Sequence, residues 1–340
     1  MLTDVRFVLR QLAKSPGFTA IAILTLALCI GANSAIFSAV RAILLKPYPW
    51  PESERLVYCY NTYPRMGLEN AGVSIPDYLD RRAGVAGFAD SALYHPSDFN
   101  LASPGAMPDR VVGFAVTPSL FSTLESTATH GRVFTDADAQ PGQDHVVVLS
   151  YAAWQQRFGG DPGIVGRNIR LDAEPYTVIG VMPRGFYFPT PRVQVWVPFT
   201  FTPAQRSDQE RGVEFSRMIA RLKPGATAAS VQRDLDLIQA RNAERLPAQR
   251  DFWRSAGFGG RVAGFLQLNV RSIGAMLWLI QAGVTIALLI GCANVASLLL
   301  ARAMAREQEL ALRSALGADR GKLIRLLLTE SVVLFVAGGT

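Results

Sequence analysis

Two stretches of this 340-residue chain contain no Asp, Glu, Lys or Arg: residues 15–40, 26 in number, and residues 272–301, 30 in number. A helix rises about 1.5 Å per residue, so each window can cross a hydrocarbon layer of roughly 30 Å. A single uninterrupted apolar run in lipid satisfies its backbone by forming a helix. The two windows therefore set the frame, with a segment of 231 residues, 41–271, held between them. A mean hydropathy of only +0.19 excludes membrane helices from end to end, so that segment is read as a water-facing domain. A cleaved leader has a shorter apolar core, about 7–15 residues, and would not be followed by a second span. A third apolar run starts near Leu326 and reaches Thr340, interrupted by Glu330. It is expected to be the start of a third span, cut inside the helix.

Positive residues at membrane edges set orientation. Arg6, Arg10 and Lys14 precede the first window; Arg302, Arg306, Arg313, Arg320, Lys322 and Arg325 follow the second. Both flanks read as cytoplasmic and the intervening domain as outside. The expected organisation is a cytoplasmic segment 1–14, a first span 15–45, an outer domain 46–271, a second span 272–302, a cytoplasmic helix 303–325 and the opening of a third span, 326–340. The pI of 9.6 comes with basic residues densest at membrane edges, where they meet lipid headgroups. No basic and aromatic stripe accompanies it, so nucleic acid is not expected as a partner.

The outer segment reads as mixed α and β. Residues 55–60 (RLVYCY), 111–116, 146–149 and 215–222 are apolar, β-rich runs. Residues 168–171 and 176–182 flank Asp172-Ala173-Glu174-Pro175 and predict a hairpin. Ser150 is placed to cap a short helix, 151–158, that Gly159 ends, and Thr227 to cap a long one reaching about Leu246. Val231, Leu235 and Ile238 give that helix one apolar stripe. Val262, Gly264, Leu266, Leu268 and Val270 alternate, which predicts a strand leading straight into the second span. Strand 215–222 with helix 227–246, and 111–116 with 118–124, read as βα units. Residues 137–200 read as a separate β-rich lobe, giving a two-lobed α+β domain inserted between the first two membrane helices.

Catalytic signatures are missing. His95, His130 and His145 have no metal-ligand spacing. Asp136-Ala137-Asp138 lacks the further ligands of a calcium loop and reads as a turn cap. With Cys29 and Cys292 inside the apolar windows, Cys59 has no disulfide partner in the outer domain and reads as a buried thiol. Residues 317–323 (GADRGKL) imitate a phosphate-binding loop, but one residue is missing between the glycines and Leu323 stands where Ser or Thr must hold Mg²⁺. No catalytic, metal or cofactor site is expected.

Between the second and third apolar runs, Glu309 and Arg313 are spaced i,i+4 in the favourable order for a helix. Gly317 suits the left-handed residue after a helix end, and Asp319 suits the cap of the next helix. The result is a short amphipathic helix at the cytoplasmic surface, shaped for a partner's groove. In the spans, Gly283, Ala287 and Gly291, and likewise Ala27, Gly31 and Ala35, recur every four residues, as in closely packed membrane helices. Asn33 and Asn294 are polar within their spans, and interhelical hydrogen bonding is their expected role.

Several motifs, in order, resemble one family. Residues 294–339 resemble the FtsX-type permease module, whose cytoplasmic helix carries E-x-x-x-R-x-x-L-G-A; Glu309, Arg313, Leu316, Gly317 and Ala318 occupy those positions. Residues 14–19 (KSPGFT), 31–37 (GANSAIF) and 45–51 (LKPYPWP) resemble the opening of MacB-like permeases of the acidobacterial duplicated type. Residues 150–189 resemble the outer domain of that family. The resemblance implies a permease subunit of an ABC transporter in a bacterial inner membrane, without an ATPase of its own. It implies an ABC ATPase in trans, a second permease module or copy, and a periplasmic adaptor. Export, efflux or lipoprotein release are the activities implied. By the same resemblance, Arg306, Glu309, Arg313, Leu316, Gly317 and Asp319 would form the ATPase-coupling helix. The rival reading is a two-span sensor with a ligand-binding outer domain; it would continue after Ala301 into an output domain rather than turn back towards the membrane.

Overall fold

The computed structural model describes residues 10, 12–41, 48, 50–102, 109–305 and four positions between 329 and 336. The chain divides into two compact units, 1–46 with 270–340, and 47–269. The first helix, α1 (Pro16–Val40), follows the charge-free window, with Pro16 in its first turn, where a missing N–H costs nothing. Only 11% of its most apolar stretch is buried, whereas the core helix of a soluble protein is mostly covered.

Among the described residues, the larger unit is built on thirteen strands. In chain order they are β1 (Leu56–Tyr63), β2 (Leu68–Ala71), β3 (Phe88–Pro96), β4 (Phe99–Ala102), β5 (Asp109–Val111), β6 (Gly113–Val116) and β7 (His130–Gly131). There follow β8 (Val146–Leu149), β9 (Asn168–Leu171), β10 (Glu174–Val181), β11 (Val195–Pro198), β12 (Arg217–Leu222) and β13 (Gly259–Gly264). All join one sheet in the order β13-β1-β12-β3-β6-β11-β8-β10-β9-β4-β5, with β2 on β1 and β7 on β10. The strands of the expected β-rich lobe lie side by side as β11-β8-β10-β9, and β6 connects them to the other half. The mixed α+β character is as expected, and the two halves share one hydrogen-bonded sheet.

Both faces of the sheet are covered, which is why its strands read as apolar runs rather than clean alternations. On β1, Val57 and Cys59 enter one core, and Leu56 and Tyr58 the other. The first face is covered by α2 (Ile75–Gly84), α4 (Tyr151–Phe158) and α5 (Ala228–Arg245), through Tyr78, Trp154, Val231, Leu235 and Ile238. The second face is aromatic. Leu120 and Phe121 of the short α3 (Leu120–Thr123) pack there with Trp50, Phe188, Trp196 and Phe265.

The local signals set the helix ends. Ser150 accepts from the Ala153 amide at 3.2 Å, and Gly159 closes α4 at φ +64°. Thr227 accepts from the Ser230 amide at 3.2 Å and starts α5. The hairpin β9–β10 turns through Asp172 and Ala173, both left-handed (φ 51° and 70°). Asp138 accepts from Thr135 and from both outer nitrogens of Arg132, so the Asp136-Ala137-Asp138 run is a turn cap, as expected. Cys59 is buried in β1, and burial pushes its thiol up to about 12.

Two expectations are corrected. The run 111–116 is two strands, because the chain changes neighbours at Val112: β5 pairs with β4, and β6 with β3 and β11. The alternation through 262–270 is not one strand. β13 stops at Gly264, which faces Val57 one residue from the start of β1, so the ladder has no partner left. The chain then enters α7 (Phe265–Ala305), 41 residues long, seven residues before the apolar window begins.

The edge strand β13 is covered rather than left open. α5 lies along it and uses two glutamines one heptad apart. Gln232 donates to the Gly260 carbonyl (2.8 Å) and accepts from the Val262 amide (3.2 Å). Gln239 donates to the Phe258 carbonyl (2.5 Å) and accepts from the Gly260 amide (3.2 Å). A carboxamide carries the same donor and acceptor pair as a peptide group, so each glutamine stands in for one residue of a missing strand. α6 (Pro247–Ala256) then returns the chain to β13.

Candidate functional site

Within the smaller unit, the helices of the two charge-free windows meet. Leu12, Ala22 and Leu26 pack with Val295, and Ile30, Cys292, Leu299 and Val333 border that cluster. A Cβ added to Gly291 would lie 2.6 Å from Cys29 Sγ, so glycine is what permits this approach. Cys29 Sγ lies 3.8 Å from the Ala287 carbonyl and donates to it. Gln281 Nε2 donates to Asn33 Oδ1 at 2.7 Å, a polar clasp between the two helices. In hydrocarbon such a bond has no water to compete with it, yet it is worth only about 0.6 kcal/mol on average.

The expected packing residues thus separate. Gly291 and Asn33 sit at the contact. A Cβ on Gly31 or Gly283 meets nothing within 4 Å among the described residues, and Asn294 is exposed. Gln281 was not singled out in the sequence. Its signal is a long carboxamide in a window that has no charge. Arg306, Glu309, Arg313, Leu316, Gly317 and Asp319 lie outside the described residues, as does most of the expected third span.

The sheet unit holds a polar network at the junction of α2, α5 and the 208–214 turn. Arg211, 5% exposed, sends its three nitrogens to three carboxylates: Asp208 at 2.7 Å, Asp77 at 2.8 Å and Asp80 at 2.6 Å. Arg245 grips Asp208 through both outer nitrogens, and Asn242 donates to Asp80 at 2.9 Å. Burial would raise the Asp208 carboxyl, but Arg245 and Arg211 outweigh it and hold the group below its usual value. Deeper in, Asn61 donates to Asp77 (3.1 Å) and to Glu214 (2.6 Å), and Tyr63 donates to Glu214 (2.6 Å). Burial pushes Glu214 up, and it pushes the Tyr63 phenol up together with the Glu214 bond.

Among the described residues, no group of three or more His, Cys, Asp and Glu side chains is placed to hold a metal. His95 packs edge-on against Phe199 and Phe215, and burial lowers its pKa. His130 rests on Trp154, and His145 on Tyr176 beside Asp144.

A family model described as the MacB-like periplasmic core domain matches residues 19–238. A second, described as the FtsX-like permease C-terminal region, matches residues 282–340. The chain is 26% identical over 212 residues to the macrolide export ATP-binding/permease protein MacB of Neisseria meningitidis serogroup A, covering 62% of this chain and 31% of that protein. It is 25% identical over 250 residues to the macrolide export ATP-binding/permease protein MacB 2 of Aeromonas hydrophila, covering 70% of this chain and 36% of that protein. The chain therefore spans about a third of the length of these curated relatives. Among solved structures, the periplasmic region of MacB from Actinobacillus actinomycetemcomitans resembles it with a TM-score of 0.45 at 13% identity, covering 71% of this chain and 98% of that one.

Proposed function

The chain belongs to the MacB/FtsX-like family of ABC transporter permeases, and from that premise we propose that it couples ATP hydrolysis on a separate ATPase to movement of its periplasmic domain. It is an inner-membrane protein with a periplasmic segment. In the proposed arrangement residues 1–14 and 303–325 are cytoplasmic and residues 46–271 periplasmic. The work done is export, efflux or lipoprotein release. The partners are an ABC ATPase in trans, a second permease module or copy, a periplasmic adaptor and the surrounding lipid.

The observation that carries the reading is the FtsX-like match over 282–340, which takes in residues 282–301 of the second apolar window and the Glu309-to-Ala318 pattern together. In the proposed cycle, closure of the ATPase shifts the helix containing Glu309 and Arg313. The shift passes along α7, and its far end moves the periplasmic domain. α7 is one helix from Phe265 to Ala305, so no strand–helix junction interrupts that path. Phe265 is fully buried in the aromatic core of the sheet unit, stacked on Tyr58 at 4.5 Å, which suits it to receive such a shift. Discrete shifts of packed helices are a common way to transmit one.

The test is purification from the native membrane in mild detergent, with mass spectrometry of what accompanies the chain. An ABC ATPase is expected to co-purify and to be lost in Arg313→Glu. Gly317→Pro should insert normally yet lose substrate-stimulated ATP turnover. Turnover unchanged in both variants would sink the coupling role.

A further inference from the structure

The Arg211 network forms the floor of an open cleft of about 780 Å³. Cavities of roughly 300–1,000 Å³ accommodate whole small molecules. One wall is apolar: Pro76 and Leu79 of α2 face Ile238 of α5. On the floor, every cation is already used, since Arg211 and Arg245 are bound to Asp77, Asp80 and Asp208. This pairing offsets two of the three carboxylates Asp77, Asp80 and Asp208 and leaves the floor with one net negative charge.

Two other arginines line the same cleft and are not used in this way. Arg241 of α5 is exposed and has no ion pair or hydrogen bond among the described residues. Arg206 sends Nε to the Phe201 carbonyl at 3.4 Å and stacks its guanidinium over the Phe201 ring at 5.5 Å. Neither contact uses its outer nitrogens. A guanidinium presents a planar fork that matches a carboxylate or a phosphate, and stacking on a ring fixes the plane of that fork. The cleft thus combines an ion-paired floor, an apolar wall and two uncommitted forks, whose two positive charges exceed the one negative charge left on the floor.

We propose that this cleft binds a small organic oxyanion, a carboxylate or phosphate ester with an apolar portion, through Arg206 and Arg241. The apolar portion lies against Pro76, Leu79 and Ile238. The inference does not depend on the coupling role, because binding is read without ATPase or ATP.

The test is titration calorimetry on the full chain in nanodiscs of zwitterionic lipid, with phenyl phosphate as probe. Saturable binding is expected, weakened by about tenfold or more in the Arg206→Glu/Arg241→Glu double variant, as for loss of charge-assisted contacts. Arg233→Glu, a charge reversal on α5 outside the cleft, should leave it unchanged. Benzyl alcohol should not bind measurably, and inorganic phosphate should bind more weakly than the ester. The titration is then repeated in nanodiscs containing anionic lipid. Competition there identifies the oxyanion as a lipid headgroup, and unchanged affinity as a soluble molecule; both support the site. No saturable binding of phenyl phosphate, equal binding by the double variant, or equal loss in Arg233→Glu would overturn it.

Discussion

The helix pair and the sheet unit solve opposite problems with the same twenty residue types. In α1 and α7 the large apolar side chains point outward: Leu28, Leu279 and Leu300 are each more than 60% exposed. In the sheet unit, Leu56, Leu93, Leu120 and Leu149 are fully buried. For the first, lipid supplies the apolar surroundings, so what holds the helices together is close approach with a few polar contacts such as the Gln281–Asn33 clasp. For the second, water is outside, and removal of apolar area from water supplies the main driving force. Substitutions should therefore act through different mechanisms in the two regions.

Leu235→Ala tests the sheet unit most severely. The side chain is 2% exposed between α5 and the sheet, and its deletion should cost about 3 kcal/mol, a transfer contribution plus a cavity. Hydrogen exchange on the reconstituted full chain should show faster opening of β1, β12 and β13, with α1 and the membrane portion of α7 unchanged. Equal acceleration in both units would mean that they are not separate in stability. Gly291→Leu is the matching test of the helix pair. Overpacking against Cys29 should cost about 2 kcal/mol and separate the helices, with no effect on exchange in the sheet. Loss of cross-linking between cysteines introduced on the two helices would report it; retained cross-linking would remove Gly291 from the contact.

A smaller, pH-dependent effect belongs to the sheet unit alone, and its two carboxyls have opposite signs. Asp208 is held below its usual 3.8. Its contribution is present above that value and is lost as pH falls through the lower, folded one. Glu214 is held above its usual 4.5. Its contribution is full below 4.5 and is lost as pH rises through the higher, folded value. Asp208→Asn should therefore flatten the acid side of the stability profile, and Glu214→Gln the side towards neutrality. The profile is read from exchange in α2 and the 208–214 turn. A profile unaltered by either change would contradict both assignments.

Local chemistry made much of the architecture legible. Charge-free windows located the spans, Ser150 and Thr227 located helix starts, and Asp172-Ala173-Glu174-Pro175 located a hairpin, its turn narrowed by the structure to Asp172 and Ala173, because each signal is satisfied within a few residues of itself. What could not be read was long-range. The split at Val112 depends on which strands stand on either side. The end of β13 depends on β1 having begun at Leu56. The Gln281–Asn33 clasp joins positions 248 apart, and the cleft draws Arg206 and Arg241 from different elements. Nothing in local sequence marks an arginine as uncommitted. That emerges only once its neighbours' carboxylates are seen to be taken by others.

The glutamine cover on β13 also constrains the order of assembly. Protein chains are made N-terminus first, and domains begin to fold as they emerge. β1, the strand that β13 will pair with, precedes it by about 200 residues, and α5, with Gln232 and Gln239, precedes it by about 20. Both sides of the slot therefore exist before the strand that fills it. β13 is synthesised last of the described strands, into a gap lined by backbone on one side and carboxamides on the other. An unpaired sheet edge invites other chains; this one need never face another nascent chain while it waits for its cover.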